Sequence, residues 1–190
     1  MKKTLKFSYN APVVLSFVFA SLVITVLGVI TNNKLTTLLF STYRGSLLNP
    51  LTYVRLFTHI FGHIGFDHFL GNATYLLLVG PMIEEKYGSV TLLKILAATA
   101  FVTGVINLIV FPSSALCGAS GVVFAFIILA SFTTFNKGEI PLTFVLICVM
   151  FIGKEVYNGI FIQDNISNLT HILGGAVGGF AGYVFNRGKK

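Results

Sequence analysis

The chain has 190 residues, of which 55% are hydrophobic and 10% charged, and its mean hydropathy is +0.86. Such a chain has too little polar surface to cover a water-facing globule, which excludes a soluble domain and points to a lipid bilayer. The formal net charge of +7 comes from basic residues that stand singly or at the two ends, so a phosphate-binding stripe and a nucleic-acid partner are excluded.

In chain order, Lys2, Lys3 and Lys6 precede an apolar run over residues 12–30, an arrangement that resembles a signal peptide. The run is long, lacks a small-x-small cleavage site and is followed by more apolar segments, so it is expected to stay as a first span. Thr31-Asn32-Asn33-Lys34 marks a turn. The connection that follows carries Arg44, Thr52, Tyr53 and Arg55, too polar at first to span and then too apolar for a plain loop, which predicts interfacial or partly embedded structure. Further spans are expected over residues 66–83, 90–111, 118–135, 140–157 and 169–185. At ~1.5 Å per residue, spans of about 18–20 residues match a hydrocarbon core of roughly 30 Å. The expectation is one all-α membrane domain over residues 1–190, with six transmembrane helices and no internal repeat. Cys117 and Cys148 lack metal-ligand spacing and read as buried thiols without a disulfide.

Orientation follows from Lys and Arg. An N-in, C-in topology collects Lys2, Lys3, Lys6, Lys86, Lys137, Arg187, Lys189 and Lys190 on the cytoplasmic side, and leaves Lys34, Arg44 and Arg55 outside. Spans two, four and six then all enter from the outer face. His68 and Asn72 begin span two, Ser120 begins span four and His171 begins span six, all roughly 5–10 Å below the outer surface by the helical rise. Polar and ionisable groups at that depth are costly and mark function by default. A serine becomes a nucleophile when a base takes its proton, and His171 is the histidine outside the segment of span two that could do so. Spans four and six carry no Asp or Glu, so the pair would be a dyad. His68 and Asn72, one helical turn apart, could donate to a developing oxyanion beside the Ser120 amide. Taken alone, small residues at the spacing found around Ser120 are more often a helix-packing surface in membrane proteins.

These residues carry a resemblance. Gly118-Ala119-Ser120-Gly121, His171-Ile172-Leu173-Gly174-Gly175, the set His59, His63, His68 and Asn72 preceded by Arg55, and Glu84 to Gly88 are similar, in order and spacing, to the motifs of the rhomboid intramembrane serine proteases. The likeness covers spans two through six. It implies a six-helix rhomboid-like bundle with Ser120 as nucleophile, His171 as general base, and His68, Asn72 and Ser120 forming the oxyanion hole. Gly118, Gly121, His63 and Phe124 would support the site. Phe124, one turn after the serine, stands where the family usually has a tyrosine and would pack on the base. The chain has no Trp, so the family's Trp-Arg pair in the first loop is absent. The implied activity is cleavage of peptide bonds in or near transmembrane segments of membrane-protein substrates, without metal or other cofactor. The implied place is a bacterial cell membrane, crossed several times, with the site opening on the extracytoplasmic side.

Other readings compete at single positions. His59 and His63, four apart, could hold a metal, or they could shape the long loop through hydrogen bonds. His68 and Asn72 could be interhelical polar glue, and Gly174, Gly178 and Gly182, with Gly175 and Gly179, a close-packing stripe. Glu84 and Glu85 are expected to fix the inner loop, and Asp67 and Asp164 to be solvated at the outer edge. The rival functions are a non-catalytic rhomboid-like protein that binds membrane clients, and a small transporter.

Overall fold

The computed structural model describes residues 7–132, 142–161 and 165–187. Its elements are α1 (Pro12–Ile30), α2 (Lys34–Leu39), α3 (Pro50–Thr58) running into a 3₁₀ turn (His59–Phe61), α4 (Phe66–Tyr87), α5 (Ser89–Val110), α6 (Ser120–Ser131), α7 (Leu142–Phe161) and α8 (Asn165–Arg187). The fold is all-α, and α1 and α5 are long and apolar enough to cross a membrane.

Around an apolar core that includes Ile83, Leu92 and Phe126, the helices also bury polar side chains and expose large apolar ones. Ser21, Thr25, Asn72, Glu84, Thr99, Thr103 and Asn107 are buried, whereas Phe19, Val23, Ile30, Leu93, Phe101, Ile109, Val149 and Met150 are exposed. Buried hydroxyls and amides with apolar groups outside suit a hydrocarbon surround, where backbone and polar groups must be satisfied internally.

α6 is the pillar of the bundle. It packs against α4, α5, α7 and α8, most extensively α8, which is why it can be apolar on every side. Glycines set the closest approaches. A Cβ on Gly174 would overlap the carbonyl oxygen of Gly121, and one on Gly178 that of Ala125, so the backbones of α6 and α8 touch. The stripe read from the sequence is thus the contact line between the two helices.

The end of the bundle where α1 begins and α4 finishes is tied by Glu84, which is 5% exposed. Its carboxylate accepts from the Val13 and Val14 amides at 2.9 and 3.1 Å and from Ser89 Oγ at 2.7 Å. One buried carboxylate therefore caps the N-terminus of α1, which lacks a capping side chain of its own, and joins it to the start of α5.

Between α1 and α4 the chain is ordered by short elements that hydropathy could not resolve. Asn32 and Asn33, with φ of 51° and 61°, reverse the chain into α2. Asn49 caps α3, accepting from the Leu51 amide at 3.0 Å, with Pro50 at its first turn. Arg55 is buried, donating to the Leu38 carbonyl at 2.7 Å with its guanidinium 4.4 Å from the Tyr43 ring centre. Thr42 and Leu116 exchange backbone hydrogen bonds of 2.9 and 2.8 Å, which fastens this segment to the loop before α6.

Two boundaries differ from the sequence reading in ways that matter for the site. α6 starts at Ser120 rather than residue 118, because Gly118 has φ of +122° and cannot be helical. α8 starts at Asn165 rather than 169, so His171 lies in its second turn. Residues 133–135 of the expected fourth span, 140–141 of the fifth, and Asp164 lie outside the described residues.

Candidate active site

The loop into α6 is clamped from both flanks. On one side Asn107 of α5 donates from Nδ2 to the carbonyls of Thr42 and Ser114, at 3.1 and 3.3 Å. On the other, the Gly118 amide donates to the His59 carbonyl at 3.0 Å and the Ala119 amide to His63 Nε2 at 3.4 Å. Both amides before the serine are thereby used. The next, that of Ser120, belongs to the first residue of α6 and is one of the amides a helix start leaves without an intrahelical acceptor.

His59 and His63 are buried and stay neutral, since burial pushes each from the usual 6.5 down to about 4. Their tautomers follow from their partners. His63 Nδ1 lies 3.1 Å from the Phe61 carbonyl, which can only accept, so the proton is on Nδ1 and Nε2 is the acceptor for Ala119. His59 Nδ1 likewise donates to the Arg55 carbonyl at 3.1 Å, and Nε2 lies 3.2 Å from the Thr103 hydroxyl, which donates to the Thr99 carbonyl at 2.7 Å. With both nitrogens of both rings engaged, this pair shapes the loop, and no cluster of His, Cys, Asp or Glu suited to a metal occurs among the described residues.

His68 and Asn72 gather at Gly118. The Cε1 and Nε2 atoms of His68 lie 2.7 Å from the point a Gly118 Cβ would occupy, and Asn72 Nδ2 lies 3.8 Å from it. Any side chain at 118 would be barred twice, by φ and by the imidazole. Asn72 is 8% exposed, and its buried Nδ2 has no hydrogen-bond acceptor among the described residues. A buried amide donor without an acceptor is costly and calls for a reason.

His171 is set by α6. Its ring lies parallel to Phe124, with centres 4.3 Å apart and planes 4° from parallel, and Phe124 is itself held edge-on by Phe151 of α7 at 5.4 Å. On either side of His171, Thr170 and Gly174 meet Gly121: a Gly121 Cβ would stand 3.3 Å from Thr170 Cγ2. The first turn of α6 and the second turn of α8 therefore face each other, with Ser120 on one and His171 on the other. His68 lies within electrostatic range of His171, so Ser120, His171, His68, Asn72, Gly118, Gly121, Phe124 and His63 share one neighbourhood.

The hydropathy reading of the third span missed Thr99, Thr103 and Asn107 of α5, all buried. Their spacing of four was the available signal, one polar stripe on an otherwise apolar helix. Cys117 and Cys148 are free and half-buried rather than fully buried.

The pattern of the Rhomboid domain matches residues 50–188. The chain is 31% identical over 141 residues to Rhomboid-related protein 1 of Caenorhabditis elegans, covering 68% of this chain and 39% of that protein. It is 33% identical over 154 residues to Rhomboid protease GluP of Bacillus subtilis, covering 78% of this chain and 29% of the relative. With Rhomboid protease GlpG of Haemophilus influenzae it shares 27% identity over 139 residues, 72% of this chain and 71% of the relative. The match thus spans less than half the length of the first two relatives. On the domain match and these likenesses together, the chain belongs to the rhomboid family.

Proposed function

We propose that this protein is an intramembrane serine endopeptidase that cuts membrane proteins in or near their transmembrane segments. The observation that carries the reading is the backbone contact of α6 and α8, which sets the turn of Ser120 against the turn of His171 with Phe124 stacked on the imidazole. Two of the relatives bear the name rhomboid protease, which supports the same activity.

In this reading Ser120 Oγ attacks the scissile carbonyl as His171 takes its proton. The carbonyl oxygen, now negative, receives the Ser120 amide, Asn72 Nδ2 and His68. His171 then gives its proton to the departing amine, and water hydrolyses the acyl-enzyme with His171 again as base. Phe124 fixes the plane of the imidazole, the role that a third carboxylate fills in other serine hydrolases. Because a helical segment hides its carbonyls, a substrate must unwind locally, which favours small and helix-breaking residues near the cut.

The reading takes residues 1–190 as one domain with α1, α4, α5, α6, α7 and α8 as six spans, N-terminus and C-terminus in the cytoplasm, and the site open to the outer side. In a Cys117→Ala, Cys148→Ala background, Ser113→Cys should react with a membrane-impermeant maleimide in intact cells and Glu85→Cys should not. The opposite pattern would invert the orientation.

Asn72 tests the chemistry. Asn72→Ala should lower kcat by about 10²–10³, the usual loss for one oxyanion donor, while a fluorophosphonate still labels the protein slowly. If Asn72 is only packing glue, the variant will melt at a lower temperature with kcat per folded molecule unchanged.

A further inference from the structure

His59 and His63 are buried, ionisable and outside the proton relay just described. His63 stands closer to the chemistry. Its Nε2 takes the Ala119 amide at 3.4 Å, its Nδ1 is held by the Phe61 carbonyl at 3.1 Å, and its ring meets the edge of His68 with centres 5.0 Å apart. Phe69 closes another side at 5.6 Å, and the 3₁₀ turn that carries Phe61 is braced by Phe17 of α1 at 4.5 Å. His63 itself is 1% exposed.

We propose that His63 is a positioning residue of the reaction: its neutral imidazole, protonated on Nδ1, holds the Ala119 amide and so keeps the Gly118–Ser120 loop turned to leave the Ser120 amide free for the reacting oxygen. The proposal rests on the serine-protease reading above. Its logic is one of lone pairs. Of the three successive amides at 118, 119 and 120, the first two are tied to the His59–His63 segment, and each tie removes a way for the loop to rotate. Without an acceptor, a buried Ala119 amide would seek another, and Gly118, which packs on His68 with a positive φ, would turn with it.

The same tie makes the site sensitive to acid in a second place. Protonated on both nitrogens, His63 would present a donor to the Ala119 donor, and it would face His68, the ionisable group whose charge acts on it. With the folded value lowered from 6.5 to about 4, the clamp is intact at neutral pH and is lost as the pH falls through about 4.

The test compares His63→Gln, whose amide can accept from Ala119 and donate to Phe61 at every pH, with His63→Leu, which fills the space and can do neither. On a reconstituted transmembrane substrate at pH 7.5, His63→Leu should lower kcat by about 10²-fold with little change in KM, the scale of loss expected from a misplacement of about 1 Å. His63→Gln should stay within about tenfold of the parent. As the pH falls through about 4 the parent should lose kcat more steeply than His63→Gln, by one further proton. A folded His63→Leu with the parent's kcat would overturn the proposal, as would His63→Gln being as slow as His63→Leu. If His63→Leu does not fold, the acid limb decides: equal steepness in the parent and His63→Gln also overturns it. Ser120→Ala in the same assay separates the two claims, because cleavage that survives it refutes the protease reading itself.

Discussion

Replacing Ser120 or His171 by alanine is expected to lower cleavage by about 10⁴-fold or more, and replacing both should cost little beyond either alone. The expectation follows from the division of labour at the site. In the proposed mechanism Ser120 supplies the attacking oxygen and His171 moves its proton, so each is idle without the other, and their losses cannot multiply. Stability should respond differently from activity. Ser120 is half-buried at the start of α6, where alanine fits a helix well, so Ser120→Ala should melt close to the parent. His171→Ala removes a ring stacked on Phe124 and should melt somewhat lower. Initial rates on a reconstituted single-span substrate, with melting curves for each variant, check both statements. Cleavage by either variant at the parent rate would remove the dyad.

The second large effect lies away from the chemistry. Gly174→Val should abolish activity and lower the melting temperature, because even the first carbon of the side chain would overlap the Gly121 carbonyl and force α8 away from α6. Overpacking of this kind costs about 1–3 kcal/mol, and a shift of about 1 Å at the catalytic pair suffices for a loss of about 10²-fold. The neighbouring Gly175 is the control. A Cβ there would rest 3.5 Å from Ile128 Cγ1, an ordinary contact, so Gly175→Ala should be tolerated. If Gly174→Val and Gly175→Ala behave alike in rate and melting, the α6–α8 contact does not set the site.

What the sequence disclosed was the set of groups that a membrane interior makes expensive. Ser120, His171, His68 and Asn72 stood out because such residues at the ends of apolar helices need a reason, and the motifs that hold them resemble one family. The glycines of α8 were legible for a similar reason, since stripes of that kind have few uses other than close packing. The rest was hidden by what hydropathy measures. α8 begins four residues earlier than its apolar run because Asn165, Ser167, Asn168 and Thr170 read as loop. α2 and α3 were blurred into one interfacial stretch, since short helices among polar residues have no clear period. Thr99 and Thr103 pass as near-neutral letters, although the Thr103 hydroxyl lies 3.2 Å from His59 Nε2. The ties of Glu84 to α1, and of His63 to Ala119, join residues separated by 70 and 56 positions, and only the fold brings them together.

The central claim is that Ser120 is a nucleophile activated by His171. Its most direct test is to treat the protein in native membranes with a fluorophosphonate and to locate the adduct by mass spectrometry. The account predicts one adduct, on Ser120, that is absent from His171→Ala and forms equally well in the presence of a chelator. An adduct on another residue, or labelling of Ser120 undiminished in His171→Ala, would contradict it.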